Sequence, residues 1–367
     1  MADRLRALRR IHLEPVDRIP HWEHFSNPDF VELVTGIDPY EKPRSAALTA
    51  YGMLPIDLGF PIPATDDPIP RPRESETVHV DGEGRRMIRW GDSYSWHWDW
   101  GKGFATIEDV LAYDPLEDMD QRDRPVVASL DYSLSVEELA MQFQGGPPPG
   151  LGAARAGTMR EGGYYNTLFM WPLLTFGWEM FLRLIGEYPE DCRRLLAGFA
   201  ERSRKLYRAY AMTDIDVMVT HDDICFASGP VCSPRWLREN VYPYYEEFFG
   251  LMRDQGIKVL FITDGNADKV ADDLFACGVD GLVSEPFTDW KALAARHPDK
   301  VFAGEGDNRV LMRNDPVEIE AHVRDLCEMG RRYPGYFLCM GNHIPWNVPA
   351  EAVKRYFEYS DQYGWLS

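Results

Sequence analysis

The sequence predicts an α/β fold of the TIM (β/α)8 barrel type, with an aromatic-rich insertion between the early strands. Short apolar runs recur in the second half of the chain, and each ends abruptly in polar residues. A helical pattern separates each run from the next, which is typical of a parallel sheet or barrel. The 367 residues are 45% hydrophobic, enough for a substantial core. The runs cover residues 216–223, 258–266, 281–286, 301–308 and 336–343.

The beginning of the chain predicts a basic helix at residues 4–10 and a strand at 18–25 that carries His21 and Glu23 near its end. These two side chains either contact a substrate or form a polar strand end at the surface. A helix follows at 41–51, and then a strand at 54–63 with Asp57 inside an apolar run. A carboxylate there is costly unless it is paired or faces a cleft, so Asp57 is a candidate functional residue.

Between residues 69 and 159 the alternation of helices and strands lapses. The alternating aromatic and polar residues of 86–104 predict an antiparallel hairpin with one aromatic face, and we expect that face to pack on the core rather than stack on a ligand. No linker-like segment divides the chain. We therefore interpret residues 69–159 as an insertion within a single domain that covers residues 1–367.

From residue 166 the alternation resumes. A strand is expected at 168–170, and the helices that follow have acidic residues near their starts and basic residues later, as the helix dipole favours. The predicted helices lie at about 178–185, 189–213, 235–256, 267–277, 290–295, 316–331 and 349–359.

The composition is acidic, with 39 Lys and Arg against 59 Asp and Glu and a net charge of −20. Such a surface repels polyphosphate and anionic lipid, which argues against nucleic acid or membrane as a partner. No apolar run of signal-peptide or membrane-span length is found, so we expect a cytoplasmic protein. Six scattered cysteines without a CxxC pair predict reduced, structural thiols. A homodimer is left open.

The polar residues that end the apolar runs are candidate site residues, because barrel enzymes keep their active sites at the carboxyl ends of the strands. Side chains of this kind also often bond loops and helix N-termini without any catalytic role, and we give that alternative comparable weight. The candidates are His221, Asp222, Asp223, Asp264, Glu285, Glu305, Asp307, Asn342 and His343.

The order and spacing of several motifs resemble the uroporphyrinogen decarboxylase superfamily, in particular its corrinoid-linked methyltransferase branch. The resemblance covers nearly the whole chain and implies a TIM barrel, in agreement with the pattern above. The motifs are Arg18 with Pro20, Trp90-Gly91, TIEDVLAYDP (106–115), WPLLTFGWEMFL (171–182), residues 233–256, GEGD (304–307) and residues 341–358.

Departures from the family pattern separate its branches. True decarboxylases grip their substrate's carboxylates with an arginine-bearing segment, whereas this chain reads HWEHFSN, with Glu23 and no arginine, and would repel a polyanionic porphyrinogen. Thiol-methylating members bind zinc through His-x-Cys-Gly and a later Gly-Cys. The matching positions here hold Ile262, Asp264 and Gly265 at the first place and Asn342 at the second. Without these thiolates, thiol methylation is not expected.

The resemblance then implies a cobalamin-dependent methyltransferase that moves a methyl group from a small methylated donor, such as a methoxyaromatic, to a corrinoid protein. A zinc ion at the rim would polarise an ether oxygen, with Asp264, Glu285 and His343 as preferred ligands and His221 as a fourth candidate. The corrinoid would come from a partner, because no DxHxxG-type module is present. The other assignments are Asp57 (at the family's catalytic aspartate), His221, Asp222 and Glu305 as catalytic residues, and His21, Glu23, Asp307 and Asn342 as substrate-binding residues.

Two alternative functions stay open at this point. One is a decarboxylase or lyase acting on another carboxylated substrate, with Asp57 stabilising a developing positive charge. The other is a non-catalytic protein that binds a corrinoid or tetrapyrrole.

Overall fold

The computed structural model describes residues 3–59, 62–63, 65–69, 71, 78–80, 86–90, 93–96, 104–122, 130–144 and 159–366. Its strands are β1 (His21–Glu23), β2 (Ile56–Gly59), β3 (Val78–Val80), β4 (Arg86–Trp90), β5 (Ser93–Trp96), β6 (Glu161–Tyr164), β7 (Val217–His221), β8 (Cys225–Phe226), β9 (Gly229–Pro230), β10 (Lys258–Ile262), β11 (Gly281–Val283) and β12 (Val301–Ala303). Its helices are α1 (Arg4–Ile11), α2 (Pro28–Thr35), α3 (Pro43–Met53), α4 (Ile107–Ala112), α5 (Val136–Phe143), α6 (Met170–Glu187), α7 (Pro189–Tyr210), α8 (Pro234–Asn240), α9 (Tyr242–Arg253), α10 (Ala271–Ala276), α11 (Trp290–Arg296), α12 (Asn308–Met312), α13 (Pro316–Arg332) and α14 (Ala350–Tyr363).

The strands of the main sheet run parallel, in the spatial order β6-β7-β10-β11-β12. A second parallel pair is formed by β1 and β2. Residues 336–340 join the two, because Tyr336 bridges to Phe302 of β12 and Leu338 bridges to His21 of β1. Eight parallel segments thus lie side by side, in the spatial order β6, β7, β10, β11, β12, residues 336–340, β1 and β2. Among the described residues no ladder joins β2 to β6, so closure of the barrel stays a prediction.

The inner faces of seven of the eight segments form one apolar cluster with two residues of α1 and with Met159, just before β6, while the outer faces pack on the helices. Because side chains alternate along a strand, neighbouring residues such as Phe302 and Ala303 belong to different clusters. The inner cluster contains Ala7, Ile11, Trp22, Leu58, Met159, Val217, Leu260, Val283, Val301, Ala303, Phe337 and Cys339.

Helix α1 lies across the amino ends of the strands. The buried guanidinium of Arg10 donates hydrogen bonds to the carbonyls of Gly330, Tyr333 and Tyr336, just before the last parallel segment. Arg4 forms an ion pair of 2.6 Å with Asp216, the residue before β7. These contacts place α1 at the end of the sheet opposite the predicted rim.

Residues 104–122 and 130–144 pack on the outside of α7. The side chain of Arg202 is fully buried and donates to the carbonyl of Pro115 at 3.2 Å. Lys205 Nζ donates to the carbonyls of Tyr132 and Leu134 at 2.8 and 2.9 Å. Two basic residues of one helix therefore hold this part of the chain through its backbone.

The parallel α/β architecture is confirmed, but the strand expected at 168–170 is wrong. The strand lies earlier, at β6, and Met170 already begins α6. A short apolar run does not distinguish a strand from the start of a buried helix, which explains the error. The predicted antiparallel hairpin is confirmed where β4 pairs with β5, although residues 97–100 of the aromatic run lie outside the described part of the chain. The insertion spanning 69–159 and the single-domain assignment stay predictions.

None of the described helices is both long enough and apolar enough to cross a membrane.

Candidate metal centre

The carboxyl ends of β7 and β10 bring three ionisable side chains together. The two strands are in register, with Ile262 opposite His221. His221 follows Val217 and Val219 on the inner face of β7, and Asp264 follows Ile262 on the inner face beyond β10. Asp223, Asp264 and His221 therefore meet at the mouth of the sheet, as the predicted rim requires.

The three side chains are close enough to share one ion. His221 Nε2 and Asp223 Oδ1 are 2.8 Å apart, and the backbone N–H of Asp264 donates to the same oxygen at 3.0 Å. One imidazole nitrogen and one oxygen from each carboxylate lie within 4.8 Å of one another. An imidazole with two carboxylates is a donor set that suits Zn²⁺ and related divalent cations. The residues present thus fit a metal, although not through the thiolates of the thiol-methylating relatives.

Without a cation, the negative charges and the burial of the cluster keep protons on His221 and Asp264 by raising the pKa values of both groups. Burial lowers the pKa of His221, but the charges of Asp223 and Asp264 outweigh it and hold that pKa above its ordinary value. Burial, together with the neighbouring charge of Asp223, raises the pKa of Asp264 to about 7. Burial also opposes ionisation of Asp223, yet His221 keeps the pKa of Asp223 below its ordinary value. A bound divalent cation would replace these protons as the source of positive charge.

A ring of polar and aromatic groups surrounds the cluster. The ring of Tyr165, which follows β6, lies edge-on to the ring of His221 with centroids 4.2 Å apart. Asn342 Nδ2 donates to Asp264 Oδ2 at 3.1 Å, while Asn342 Oδ1 lies 2.8 Å from His343 Nδ1. Asn342 has a left-handed backbone with φ of 62°. It therefore connects His343 to the cluster without making His343 a member of it.

The predicted ligand Glu285 supports the turn that carries Asp264. Its Oε2 accepts a hydrogen bond of 2.7 Å from the backbone N–H of Gly265. Gly265 has φ of 83°, and a Cβ at this position would lie 2.4 Å from the carbonyl of Phe226 in β8. Of the predicted set of Asp264, Glu285 and His343, only Asp264 belongs to the three-residue cluster. The ligand roles of Glu285 and His343 stay predictions.

Asp222, predicted to be catalytic, is held by the beginning of α6. Its fully buried carboxylate accepts the backbone N–H groups of Leu168, Phe169 and Met170 at 2.6 to 2.7 Å and the hydroxyl of Tyr245 at 2.6 Å. Burial raises the pKa of Asp222 to about 7 against the hydrogen bonds that lower it. These contacts give Asp222 a structural position, and none of them supports a catalytic role.

Asp57 lies at the opposite end of the sheet from the cluster. Its Oδ1 accepts from the backbone N–H of Asp3 at 2.6 Å and from Arg6 Nη1 at 3.0 Å, both at α1. Its Oδ2 accepts from the backbone N–H of His21 at 3.4 Å. Burial raises the pKa of Asp57 to about 6 even though Arg6 opposes it. The structure thus pairs this buried carboxylate and does not bring it to the rim.

His21 and Glu23 face the helices rather than the interior. Trp22 between them belongs to the inner cluster, so its two neighbours point to the other face of β1. The His21 ring lies 5.9 Å from the ring of Tyr356 in α14. Glu23 Oε1 accepts from the backbone N–H of Met340 at 2.7 Å, and burial raises the pKa of Glu23 to about 8. Both side chains are fully buried, and their predicted substrate contacts gain no support from these positions.

Glu305 also faces the helix layer. Strand alternation from Val301 and Ala303 would direct it inward, but Gly304 has φ of 104° and interrupts the alternation. Glu305 Oε2 instead accepts from the hydroxyl of Tyr336 at 2.8 Å, and Tyr336 belongs to the outer core. Its catalytic role stays a prediction that its contacts do not support.

Asp307 caps α12. Its Oδ1 accepts from the backbone N–H of Arg309 at 2.8 Å, and the Arg309 guanidinium lies 2.8 Å from Oδ2. Burial opposes ionisation, yet these bonds hold the pKa of Asp307 below its ordinary value. The contacts of Asp307 are those of an N-cap residue. A substrate contact by Asp307 stays a prediction.

The sequence pattern places Asp223 at the rim without indicating a role for it, and it does not point to Tyr165. The spacing of two residues from His221 to Asp223 was the available signal for the first. Tyr165 was missed because β6 was expected several residues later in the chain.

Comparisons with known proteins agree with this architecture. The family model for uroporphyrinogen decarboxylase (URO-D) matches residues 175–363, just over half of the chain. A methyltransferase from Methanosarcina mazei has a similar structure, with a TM-score of 0.60, 16% identity and 97% of both chains covered. A xylose isomerase-like TIM barrel protein from Mycobacterium smegmatis, in complex with magnesium, gives a TM-score of 0.32 at 12% identity over 57% of this chain and 75% of that one, too low to support an argument.

No curated protein matches the chain by sequence. The family match and the fold lead to the same result: this chain belongs to the uroporphyrinogen decarboxylase family.

Proposed function

We propose that this chain is a methyltransferase that takes a methyl group from a small methylated compound and delivers it to cobalamin carried by a separate corrinoid protein. The observation that carries the proposal is the cluster of His221, Asp223 and Asp264 at the mouth of the sheet. The likeness of the whole chain to the M. mazei methyltransferase structure supports it at the level of fold. An aromatic methyl ether is the donor to test first.

The cluster explains how the chain could prepare a methyl donor. Zn²⁺ held by His221, Asp223 and Asp264 would act as a Lewis acid toward an ether oxygen, while the corrinoid accepts the methyl group. In the protein without zinc, the hydrogen bond between Asp223 and His221 holds the two ligand atoms 2.8 Å apart. Asn342 holds Asp264 from the opposite side, and the ring of Tyr165 covers His221 and limits the access of water.

The contacts of Asp57 do not support the alternative of a decarboxylase. A decarboxylase of this family would use Asp57 at the substrate, as the resemblance implies. Here Asp57 is bound to Arg6 at the amino ends of the strands, away from the rim. The acidic residues of the cluster would also repel a carboxylated substrate unless a cation were present.

The first experiment measures methyl transfer directly. The protein is mixed with reduced cobalamin and a panel of methoxyaromatics, methanol and methylamines, and the absorbance of methyl-Co(III) is followed. We expect transfer from at least one donor. Silence across the whole panel would refute the proposal.

The second experiment measures metal content in variants of the cluster. His221→Ala and Asp264→Asn should lose bound zinc, because each removes one of three donors. Glu285→Gln tests the ligand role predicted for Glu285: zinc is kept if this carboxylate only bonds the Gly265 backbone, and zinc is lost if Glu285 is a further ligand. Asp289→Asn, at the N-cap of α11, is a matched surface control. Zinc retained in both cluster variants would show that the ligands were assigned wrongly.

A further inference from the structure

A surface cavity of about 210 Å³ lies in the helix layer, where α8 and the beginning of α9 face α10. Arg238, Tyr242 and Glu246 line it from one side, and Asp273 and Cys277 line it from the other. None of these residues belongs to the metal centre. The volume is below the roughly 300–1,000 Å³ of pockets for drug-sized ligands, so it suits a molecule of only a few non-hydrogen atoms.

Two polar atoms of the lining residues lack partners. Tyr242 is 5% exposed, and its hydroxyl forms no hydrogen bond with any residue that the structure describes. Asp273 Oδ1 accepts from Arg238 Nε at 2.9 Å, but the buried Oδ2 has no partner in the described part of the chain. Other buried polar atoms also lack partners, but none of them belongs to a residue that lines this cavity. The two groups are complementary, since a phenol donates and a carboxylate accepts, yet they do not bond each other.

The hydroxyl of Tyr242 lies among the side chains that line the cavity. Burial raises the pKa of Tyr242, and Asp273, Cys225 and Cys277 raise it further. Charges shift a pKa strongly only when they are a few ångströms away. The thiol of Cys277 also donates to the carbonyl of Tyr242 at 3.7 Å, so α10 packs directly on this residue. The unpaired hydroxyl is therefore next to the unpaired carboxylate oxygen, at one wall of the cavity.

The charges of the lining favour a cation. The carboxylates of Glu246 and Asp273 outnumber the one guanidinium, that of Arg238, which already pairs with Asp273. A cavity with this balance attracts cations and repels anions. Among the described residues, no three metal-ligating side chains come within range of one ion here. An organic ammonium ion suits the cavity better, because its N–H groups donate to carboxylates while Pro243 and Ala276 offer apolar contact.

We propose that this cavity binds a small organic ammonium ion that also carries a hydroxyl group. The ammonium group donates to Asp273 Oδ2 and to Glu246, while the hydroxyl oxygen accepts from Tyr242. Both unpaired groups thereby gain a partner. Access needs only a small adjustment, because Arg238 holds Asp273 by an exposed ion pair that contributes little to stability and swings aside easily. The site lies outside the metal centre and does not depend on the proposed methyl transfer.

Three compounds of similar size and different charge test the inference on the full chain. They are 2-aminoethanol, which is an ammonium ion at pH 7, ethylene glycol, which is neutral, and glycolate, which is an anion. Binding is measured by calorimetry. The wild type should bind 2-aminoethanol with a Kd of about 1 mM, which is realistic for so small a ligand. Ethylene glycol should bind at least about tenfold more weakly, and glycolate should not bind.

Three variants locate the binding. Asp273→Asn should weaken the binding of 2-aminoethanol at least about tenfold, because a charged acceptor is lost. Tyr242→Phe should weaken it about three- to tenfold. This variant should also melt at the wild-type temperature or higher, because the hydroxyl that it removes bonds nothing in the fold. Asp254→Asn, at the exposed C-cap of α9, removes the same charge outside the cavity and should leave the affinity unchanged.

Other outcomes would overturn the inference. Failure of 2-aminoethanol to bind, or equal binding of all three compounds, would refute the ligand class. An unchanged affinity in Asp273→Asn, or an equal loss in Asp254→Asn, would place the binding elsewhere. A clear fall in the melting temperature of Tyr242→Phe would show that its hydroxyl supports the fold, for example through an ordered water. Methyl transfer is assayed separately and involves other residues, so each proposal fails or stands independently of the other.

Discussion

Replacing Asp222 with asparagine or alanine separates a structural from a catalytic role for this residue. Its carboxylate accepts three consecutive backbone N–H groups at the beginning of α6 and the hydroxyl of Tyr245. Burial removes water as a substitute partner. Any change at Asp222 therefore strands buried donors, and the expected loss appears first in stability.

The magnitude follows from those contacts. An asparagine keeps one acceptor oxygen, but its NH₂ group faces at least one donor that it cannot accept. The variant thus strands two buried groups, one donor and the NH₂ group itself, and at about 1–3 kcal/mol for each of them Asp222→Asn should lose roughly 2–6 kcal/mol. Asp222→Ala strands all four donors, or about 4–12 kcal/mol. That range is comparable with the whole stability of a typical domain, about 5–15 kcal/mol, so the alanine variant should not fold.

The assay is urea unfolding at pH 8, above the pKa of about 7 for Asp222, with methyl transfer measured on the same samples. The control is Asp315→Asn at the exposed N-cap of α13, where asparagine caps as well as aspartate and the change should be close to zero. An Asp222→Asn variant with wild-type stability and abolished methyl transfer would refute the structural interpretation and restore the catalytic one.

Three further predictions follow from other buried groups. Asp57→Asn should lower the free energy of unfolding by about 1–3 kcal/mol, because it weakens the pair with Arg6, and leave the rate of methyl transfer within about twofold; a severe loss of rate would return Asp57 to the active site. Burial raises the pKa of Glu23 to about 8, so the stability that its protonated form contributes is present below its unfolded pKa and is lost as pH rises toward 8. In urea unfolding, the free energy of unfolding of Glu23→Gln relative to the wild type should therefore increase by up to about 1.4 kcal/mol per pH unit between roughly pH 4.5 and 8. A pH-independent difference would contradict the burial argument. Zinc must displace protons from His221 and Asp264, whose pKa values are raised, so apparent zinc affinity should increase from pH 6 to 8 with proton release; calorimetric heats that do not depend on the ionisation enthalpy of the buffer would contradict this.

The parallel fold was predictable because apolar runs and helical segments alternate along the second half of the chain. The structure also places His221 and Asp264 at the carboxyl ends of β7 and β10, as expected, since the position of a residue relative to its strand can be read from spacing alone. That information ends where the backbone departs from regular geometry. Gly304, with φ of 104°, turns Glu305 toward the helix layer, and no spacing rule foretells such a reversal.

The partners of buried charges could not be predicted at all. Asp57 was correctly identified as a carboxylate that needs a partner or a cleft, but the partner is Arg6, 51 residues earlier in the chain. Asp222 was assigned to the rim for the same reason as Asp223, its neighbour. Only the three-dimensional position of α6 shows that Asp222 accepts the backbone N–H groups at the beginning of this helix, while Asp223 bonds His221. Long-range pairing of this kind depends on topology rather than on local sequence.

Gly265 determines how closely the turn after β10 approaches the chain that follows β7. The turn after β10 rests directly on the backbone of Phe226, and the N–H of Asn266 donates to the Phe226 carbonyl at 2.9 Å. No side chain at position 265 cushions this contact. A single methyl group there would act as a wedge, forcing apart the loops that hold Asp264 and His221. The distance between the loops that carry His221 and Asp264 is thus set by a hydrogen atom where every other amino acid carries carbon.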